Sequence, residues 1–301
     1  MADLRVNFCG VELKNPVTTA SGTFGFGHEY ANFYDLGELG GVGAKGLTPE
    51  EQLGNPAPRI AETPMGILNC VGLQNPGVDR FIQEEIPYLR QFDTKIIANV
   101  SGHSVEEYVG IVEKISDADI DLIEMNISCP NVNAGFLAFG QDAKHVEELT
   151  AQIKKIAKQP IIMKLTPNVT DITEIAKAAE AGGADAISLI NTLTGMKIDI
   201  NRKTFALANK TGGVSGPIVK PVAVRMVYQA AHAVNIPIIG MGGIASAEDA
   251  IEFILAGASA VSVGTANFHN PAVTMEVIDG IEAYMKKNGF ENVADMVGIV
   301  E

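Results

Sequence analysis

The sequence predicts an α/β protein of the (β/α)8 (TIM) barrel class, on three observations. Apolar runs of strand length alternate with helix-period segments eight times along the chain. Aliphatic residues and glycine dominate while Trp is absent, the composition of parallel strands buried on both faces beneath packed helices. Glycines and polar residues recur at the ends of nearly every strand. The rival architecture, an open doubly wound sheet, has fewer strands and concentrates glycine in one loop after its first strand.

Taken in order, Val6–Phe8, Gly10 and Glu12–Lys14 read as a hairpin capping the bottom of the barrel. Strands are expected at Val17–Ser21, Gly41–Lys45, Lys95–Ser101, Leu122–Ser128, Pro160–Leu165, Ala186–Asn191, Pro237–Gly243 and Ala260–Thr265. Amphipathic helices are expected between them, among others at Val105–Ile115, Ala143–Ala157 and Ile172–Ala181. In Ala143–Ala157 the apolar Val146, Leu149, Ile153 and Ile156 recur at three- and four-residue spacing, which is one helical face. Two interruptions, Leu47–Leu73 after the second strand and Asn131–Gln141 after the fourth, exceed ordinary strand-to-helix loops and are candidate lids over the catalytic face. No linker, repeat or low-complexity tract divides the chain, so residues 1–301 are expected to form one domain.

The formal net charge of −14 disfavours nucleic acid and anionic membrane as partners. A small anionic substrate must therefore be drawn in by local cations. No run of 18 apolar residues exists, and Met1-Ala2-Asp3-Leu4-Arg5 has no signal-peptide core, so a soluble, cytoplasmic protein is expected. The three cysteines, Cys9, Cys70 and Cys129, form no CxxC pair. That argues for a reducing compartment, against a structural metal, and against an iron–sulfur cluster within this chain, which needs about four thiolates.

In a barrel the C-terminal strand ends converge on one mouth. Here they supply Ser21, Lys45, Asn99, Asn126, Cys129, Lys164, Asn191, Thr192, Gly242, Gly243, Gly264 and Thr265. The set is rich in amides and has two lysines and no acid. A buried lysine without a partner is costly, so Lys45 and Lys164 point to an anionic or electron-rich ligand. The runs Ile238–Ile244 and Ala260–Ala266 each lead through glycines into a helix, the arrangement of a phosphate cradle after the seventh and eighth strands. Cys129 stands in Asn126-Ile127-Ser128-Cys129-Pro130-Asn131, between two amides at a strand end. His28, His103 and His145 lie in other segments, so a thiolate base is more natural than an acyl-transfer nucleophile. Cys9 and Cys70 read as small buried hydrophobes.

Together these residues resemble the class 1 dihydroorotate dehydrogenases, FMN-dependent (β/α)8 barrels of pyrimidine biosynthesis. The resemblance runs through Gly40–Thr48 and Gln52–Arg59, Asn69–Gly77, the Asn191-Thr192 strand end, and Ile238–Ile244 with Ala256-Gly257-Ala258. It implies that Cys129 removes a proton from C5 of dihydroorotate while hydride leaves C6 for the flavin, giving orotate. It implies substrate contacts at Lys45, Asn69, Gly72, Leu73, Asn126, Asn131, Asn191 and Thr192. It implies FMN contacts at Ser21, Lys45, Gly46, Asn99, Asn126, Lys164, Ile190, Gly216, Gly242, Gly243, Gly264 and Thr265.

Cys129 in place of a Ser base, and no N-terminal membrane helix, separate the chain from the quinone-linked class 2. The runs Pro130-Asn131-Val132, Ala138-Phe139-Gly140 and Val263–Phe268 are similar to class 1B. Class 1B implies a homodimer within a heterotetramer, whose partner subunit carries FAD and a [2Fe–2S] cluster and reduces NAD. The alternatives are a fumarate-using class 1A enzyme, a related FMN barrel acting on another dihydropyrimidine, and a flavin-free lyase or isomerase with Lys45 or Lys164 as a Schiff base. One departure is Asn133-Ala134-Gly135-Phe136, where class 1B members carry a basic run.

Overall fold

The structure, a computed structural model, describes residues 2–128 and 139–300. Its strands, in chain order, are β1 (Val6–Phe8), β2 (Val11–Leu13), β3 (Val17–Thr19), β4 (Gly41–Gly43), β5 (Ile60–Thr63), β6 (Gly66–Asn69), β7 (Lys95–Val100) and β8 (Leu122–Asn126). They continue with β9 (Ile161–Lys164), β10 (Ala186–Leu189), β11 (Leu193–Met196), β12 (Ile198–Asp199), β13 (Thr204–Phe205), β14 (Thr211–Ser215), β15 (Ile238–Met241) and β16 (Ala260–Val263).

Eight of these close into a parallel barrel in the order β10-β15-β16-β3-β4-β7-β8-β9. Such strands are buried on both faces, so they read as nearly continuous apolar runs. In β8, Ile123 and Met125 are fully buried. Glu124 and Asn126 alternate with them and point into the barrel, since successive side chains of a strand face opposite ways.

Four of the helices between strands start on side-chain caps, which satisfy backbone N–H groups that have no intrahelical partner. Ser104 caps Val105–Ile115, Asp142 caps Ala143–Lys154, Asp171 caps Ile172–Ala181 and Ser246 caps Ala247–Leu255. Val146, Leu149 and Ile153 are buried on one face of Ala143–Lys154, as their spacing requires.

β1 and β2 form the expected hairpin, in register Val6↔Leu13. The Cys9 thiol at its turn donates to the carbonyl of Asp185, the residue before β10, at 3.2 Å. That contact puts the hairpin at the N-terminal end of the barrel. Cys9 is only half-buried, a correction to the expectation for it, because it occupies a left-handed turn position at the surface. Burial, with the Asp185 charge adding to it, pushes its thiol up to about 12.

The barrel strands end one or two residues earlier than their apolar patterns suggest. Ser21, Lys45, Asn191, Thr192, Gly242 and Gly243 leave the ladder and turn over the mouth. The Leu47–Leu73 interruption contains β5 and β6. A third excursion, Leu193–Ser215, contains β11 to β14, and its sequence pattern had not revealed it. The two meet in one antiparallel sheet of order β11-β14-β6-β5, with Gly213 opposite Asn69. Among the described residues, no helix is long and apolar enough to cross a membrane.

Candidate active site

A cavity of about 320 Å3 opens at the C-terminal end of the barrel, between the strand ends and the β11-β14-β6-β5 sheet. Every described residue with an expected ligand role lines it. Those expected to contact substrate are Lys45, Asn69, Gly72, Leu73, Asn126, Asn191 and Thr192. Those expected to contact the cofactor are Ser21, Lys45, Gly46, Asn99, Asn126, Lys164, Ile190, Gly216, Gly242, Gly243, Gly264 and Thr265. Cys129 and Asn131, with the departing Asn133–Phe136 run, lie outside the described residues. Cys70 lines the cavity and is buried against Leu68 and Leu207.

The floor holds the clearest departure from expectation. Lys164, at the end of β9, is not unpartnered: its ammonium donates to Glu124 Oε2 at 3.2 Å and, more weakly, to Ser21 Oγ at 3.5 Å. The strand ends alone show no acid, because Glu124 lies two residues back, inside an otherwise apolar strand. That single carboxylate was the available signal, since a buried charge demands a partner. Asn99, directly opposite Glu124 in the β7–β8 ladder, donates its amide to Oε2 as well. Its own Oδ1 is buried and has no hydrogen-bond partner among the described residues. Gly46 closes against it, and a Cβ there would stand 2.9 Å from Asn99 Oδ1.

Lys45 follows β4, and its ammonium has no ion pair or hydrogen bond among the described residues. Burial, and secondarily the Arg59 charge, hold its ammonium below the ordinary lysine range. An anion bound beside it would offset that desolvation.

Asn126 Oδ1 accepts from Asn191 Nδ2 at 3.1 Å and from the Ser128 backbone N–H at 3.3 Å. Asn191 Oδ1 in turn accepts from the Thr192 N–H at 2.8 Å. Asn69 reaches across to the Gly213 carbonyl at 3.5 Å. Asn168 also lines this wall and was missed by the sequence analysis. It donates to the Thr192 carbonyl at 3.0 Å and accepts from the Thr194 N–H at 2.9 Å. The pointer to it was an amide in the loop just past the end of β9.

At the far end, glycine loops from β14, β15 and β16 come together. Gly243 has φ +90°, a conformation that side chains resist, and a Cβ on it would lie 2.9 Å from the Lys220 N and 3.0 Å from the Gly216 carbonyl oxygen. Thr265 donates to Ser215 Oγ at 2.8 Å. Lys220 pairs with Asp249 at 2.6 Å, and Asp249 also accepts from the Ala245 N–H, which braces the loop behind Gly242 and Gly243. Among the described residues, no cluster of His, Cys, Asp and Glu could hold a metal ion.

The chain matches the family model described as dihydroorotate dehydrogenase over residues 3–285. It is 63% identical over 296 residues to the dihydroorotate dehydrogenase B (NAD(+)), catalytic subunit, of Lachnoclostridium phytofermentans, covering 98% of this chain and 99% of that one. The protein of the same description from Alkaliphilus metalliredigens is 62% identical over 296 residues, with 98% of each chain covered. That from Bacteroides thetaiotaomicron is 54% identical over 302 residues, with 100% of each covered.

Proposed function

The chain belongs to the dihydroorotate dehydrogenase family of oxidoreductases, and on that premise we propose that it oxidises dihydroorotate to orotate in de novo pyrimidine biosynthesis, as the FMN-bearing catalytic subunit of an NAD-linked, class 1B enzyme. The observation that carries the proposal is the mouth cavity, where an amide-rich wall, two lysines and a glycine-lined end share one space.

The residues fit FMN. Asn99 Oδ1 is a buried acceptor in need of a donor, which a flavin ring N–H supplies. Lys164 offers a cation to the electron-rich edge of the ring. The loops of Gly216, Gly242, Gly243, Gly264 and Thr265 offer close backbone approach to a phosphate. Ser21, Gly46 and Ile190 complete the walls around the ring. Bound there, FMN supplies the two-electron acceptor for the hydride from substrate C6.

The chain's own residues do the rest. Lys45 neutralises the substrate carboxylate. Asn69, Asn126, Asn131, Asn191 and Thr192 pair with the ring's carbonyl and N–H groups, and Gly72 and Leu73 form the wall beside them. Cys129, as thiolate, takes the C5 proton, so one proton and one hydride leave the substrate together.

The relatives are named catalytic subunits of an NAD(+) enzyme, which supports a second subunit for this chain too. With three cysteines, it would rely on that subunit for a [2Fe–2S] cluster and FAD. We further infer a single domain, a homodimer within a heterotetramer, and a cytoplasmic location.

Purified, flavin-loaded protein offered dihydroorotate and dihydrouracil tests the substrate. Turnover of dihydroorotate is expected, and turnover of dihydrouracil alone would refute the assignment. With dihydroorotate as donor, reduction of NAD only when an iron–sulfur flavoprotein partner is added is expected. Efficient reduction of fumarate by the chain alone would place it in class 1A instead.

A further inference from the structure

Glu124 is 4% exposed, in a strand whose neighbouring residues are apolar. A carboxylate so placed persists only where hydrogen bonds and an opposite charge offset its desolvation. Oε1 accepts from Ser188 Oγ at 2.7 Å. Oε2 accepts from Lys164 Nζ at 3.2 Å and from the Asn99 amide. The three donors stand on β10, β9 and β7, so one side chain ties three other staves of the barrel together. Lys164 and Asn99 line the cavity, whereas Glu124 and Ser188 lie one layer beneath it.

We propose that Glu124 is a positioning residue that holds Lys164 and Asn99 under the cavity and opposes the lysine's charge, so that a bound flavin is harder to reduce than an unopposed lysine would make it. The inference rests on the flavin-binding assignment above. A reduced flavin ring carries more negative charge than an oxidised one, so a nearby cation favours the reduced state. A carboxylate directly behind the ammonium weakens that field in a region of low dielectric. The balance suits a subunit that must release electrons as readily as it accepts them.

Glu124→Gln keeps the size of the side chain and an acceptor for Lys164 but removes the charge. In the flavin-loaded protein, equilibrated with reference dyes, the ratio of reduced to oxidised flavin at a fixed ambient potential should rise at least tenfold. That corresponds to about 30 mV for a two-electron couple. Glu124→Asp, which keeps the charge, should stay near the unsubstituted protein. An unchanged or more negative potential in Glu124→Gln overturns the proposal. Should that variant fail to fold, Ser188→Ala serves: it strips a donor from the carboxylate, leaves more charge facing Lys164, and should shift the ratio at least threefold the other way. No shift there overturns the proposal equally. Failure of the unsubstituted protein to bind flavin would refute the flavin assignment, whereas bound flavin indifferent to these substitutions would refute only the role of Glu124.

Discussion

The Asn191 side-chain amide donates to the Asn126 side-chain oxygen at 3.1 Å, joining the ends of two barrel strands that β9 separates. The same Asn126 oxygen also takes the Ser128 N–H, so it is fully engaged by the protein. The Asn126 amide hydrogens are thereby turned toward the cavity as donors. Asn191→Ala should release that orientation and raise KM for dihydroorotate about tenfold, the size of one or two hydrogen bonds. Flavin content should be unchanged and kcat should fall less than KM rises. An effect confined to kcat would contradict the role.

Lys45 is held below the ordinary lysine range chiefly by burial. The unfolded chain therefore binds this proton more tightly than the folded one. Stability then rises with pH across the window between the lowered value and the ordinary one. Below that window the desolvated charge is a cost. Lys45→Met should accordingly raise the melting midpoint of the flavin-free protein by about 2 °C or more, on the order of 1 kcal/mol, while severely weakening substrate binding. The affinity of the unsubstituted enzyme for dihydroorotate should decline as pH rises through the lowered value. Calorimetry with a pH series of KM checks both, and a lower melting midpoint in Lys45→Met would contradict the desolvation account.

Gly243→Ala places a methyl against backbone atoms of Lys220 and Gly216 at a positive φ. Local strain of about 1–3 kcal/mol should weaken FMN binding roughly tenfold or more. Riboflavin, which lacks the phosphate, should lose far less. Equal losses for both ligands would show that this loop does not hold the phosphate end.

Cys129→Ala should retain flavin and lose turnover by about 10²–10⁴-fold, the typical contribution of a general base. Steady-state rates alongside flavin absorbance measure both, and near-normal turnover would remove the thiolate from the chemistry.

The barrel was legible because each stave is a short apolar run bounded by polar residues, a pattern that survives without tertiary context. The mouth was legible for a topological reason: parallel closure brings all the C-terminal strand ends to one place, so collecting them gathers Lys45, Asn126, Lys164 and the glycine loops. Glu124 escaped because its meaning lies in partners 25, 40 and 64 residues away on other strands. The Leu193–Ser215 excursion escaped because its strands are short, half-exposed and interrupted by Gly195, Gly212 and Gly213. Such segments become strands only by pairing, here with β6 across the mouth.

The most direct test of the account is to mix flavin-loaded protein with dihydroorotate under strictly anaerobic conditions, with no other electron acceptor present, and follow the flavin absorbance. The account predicts that the yellow band bleaches as orotate forms in equal amount, and that it does so far more slowly in Cys129→Ala. A band that persists in the presence of excess dihydroorotate, in protein shown to contain FMN, would contradict it.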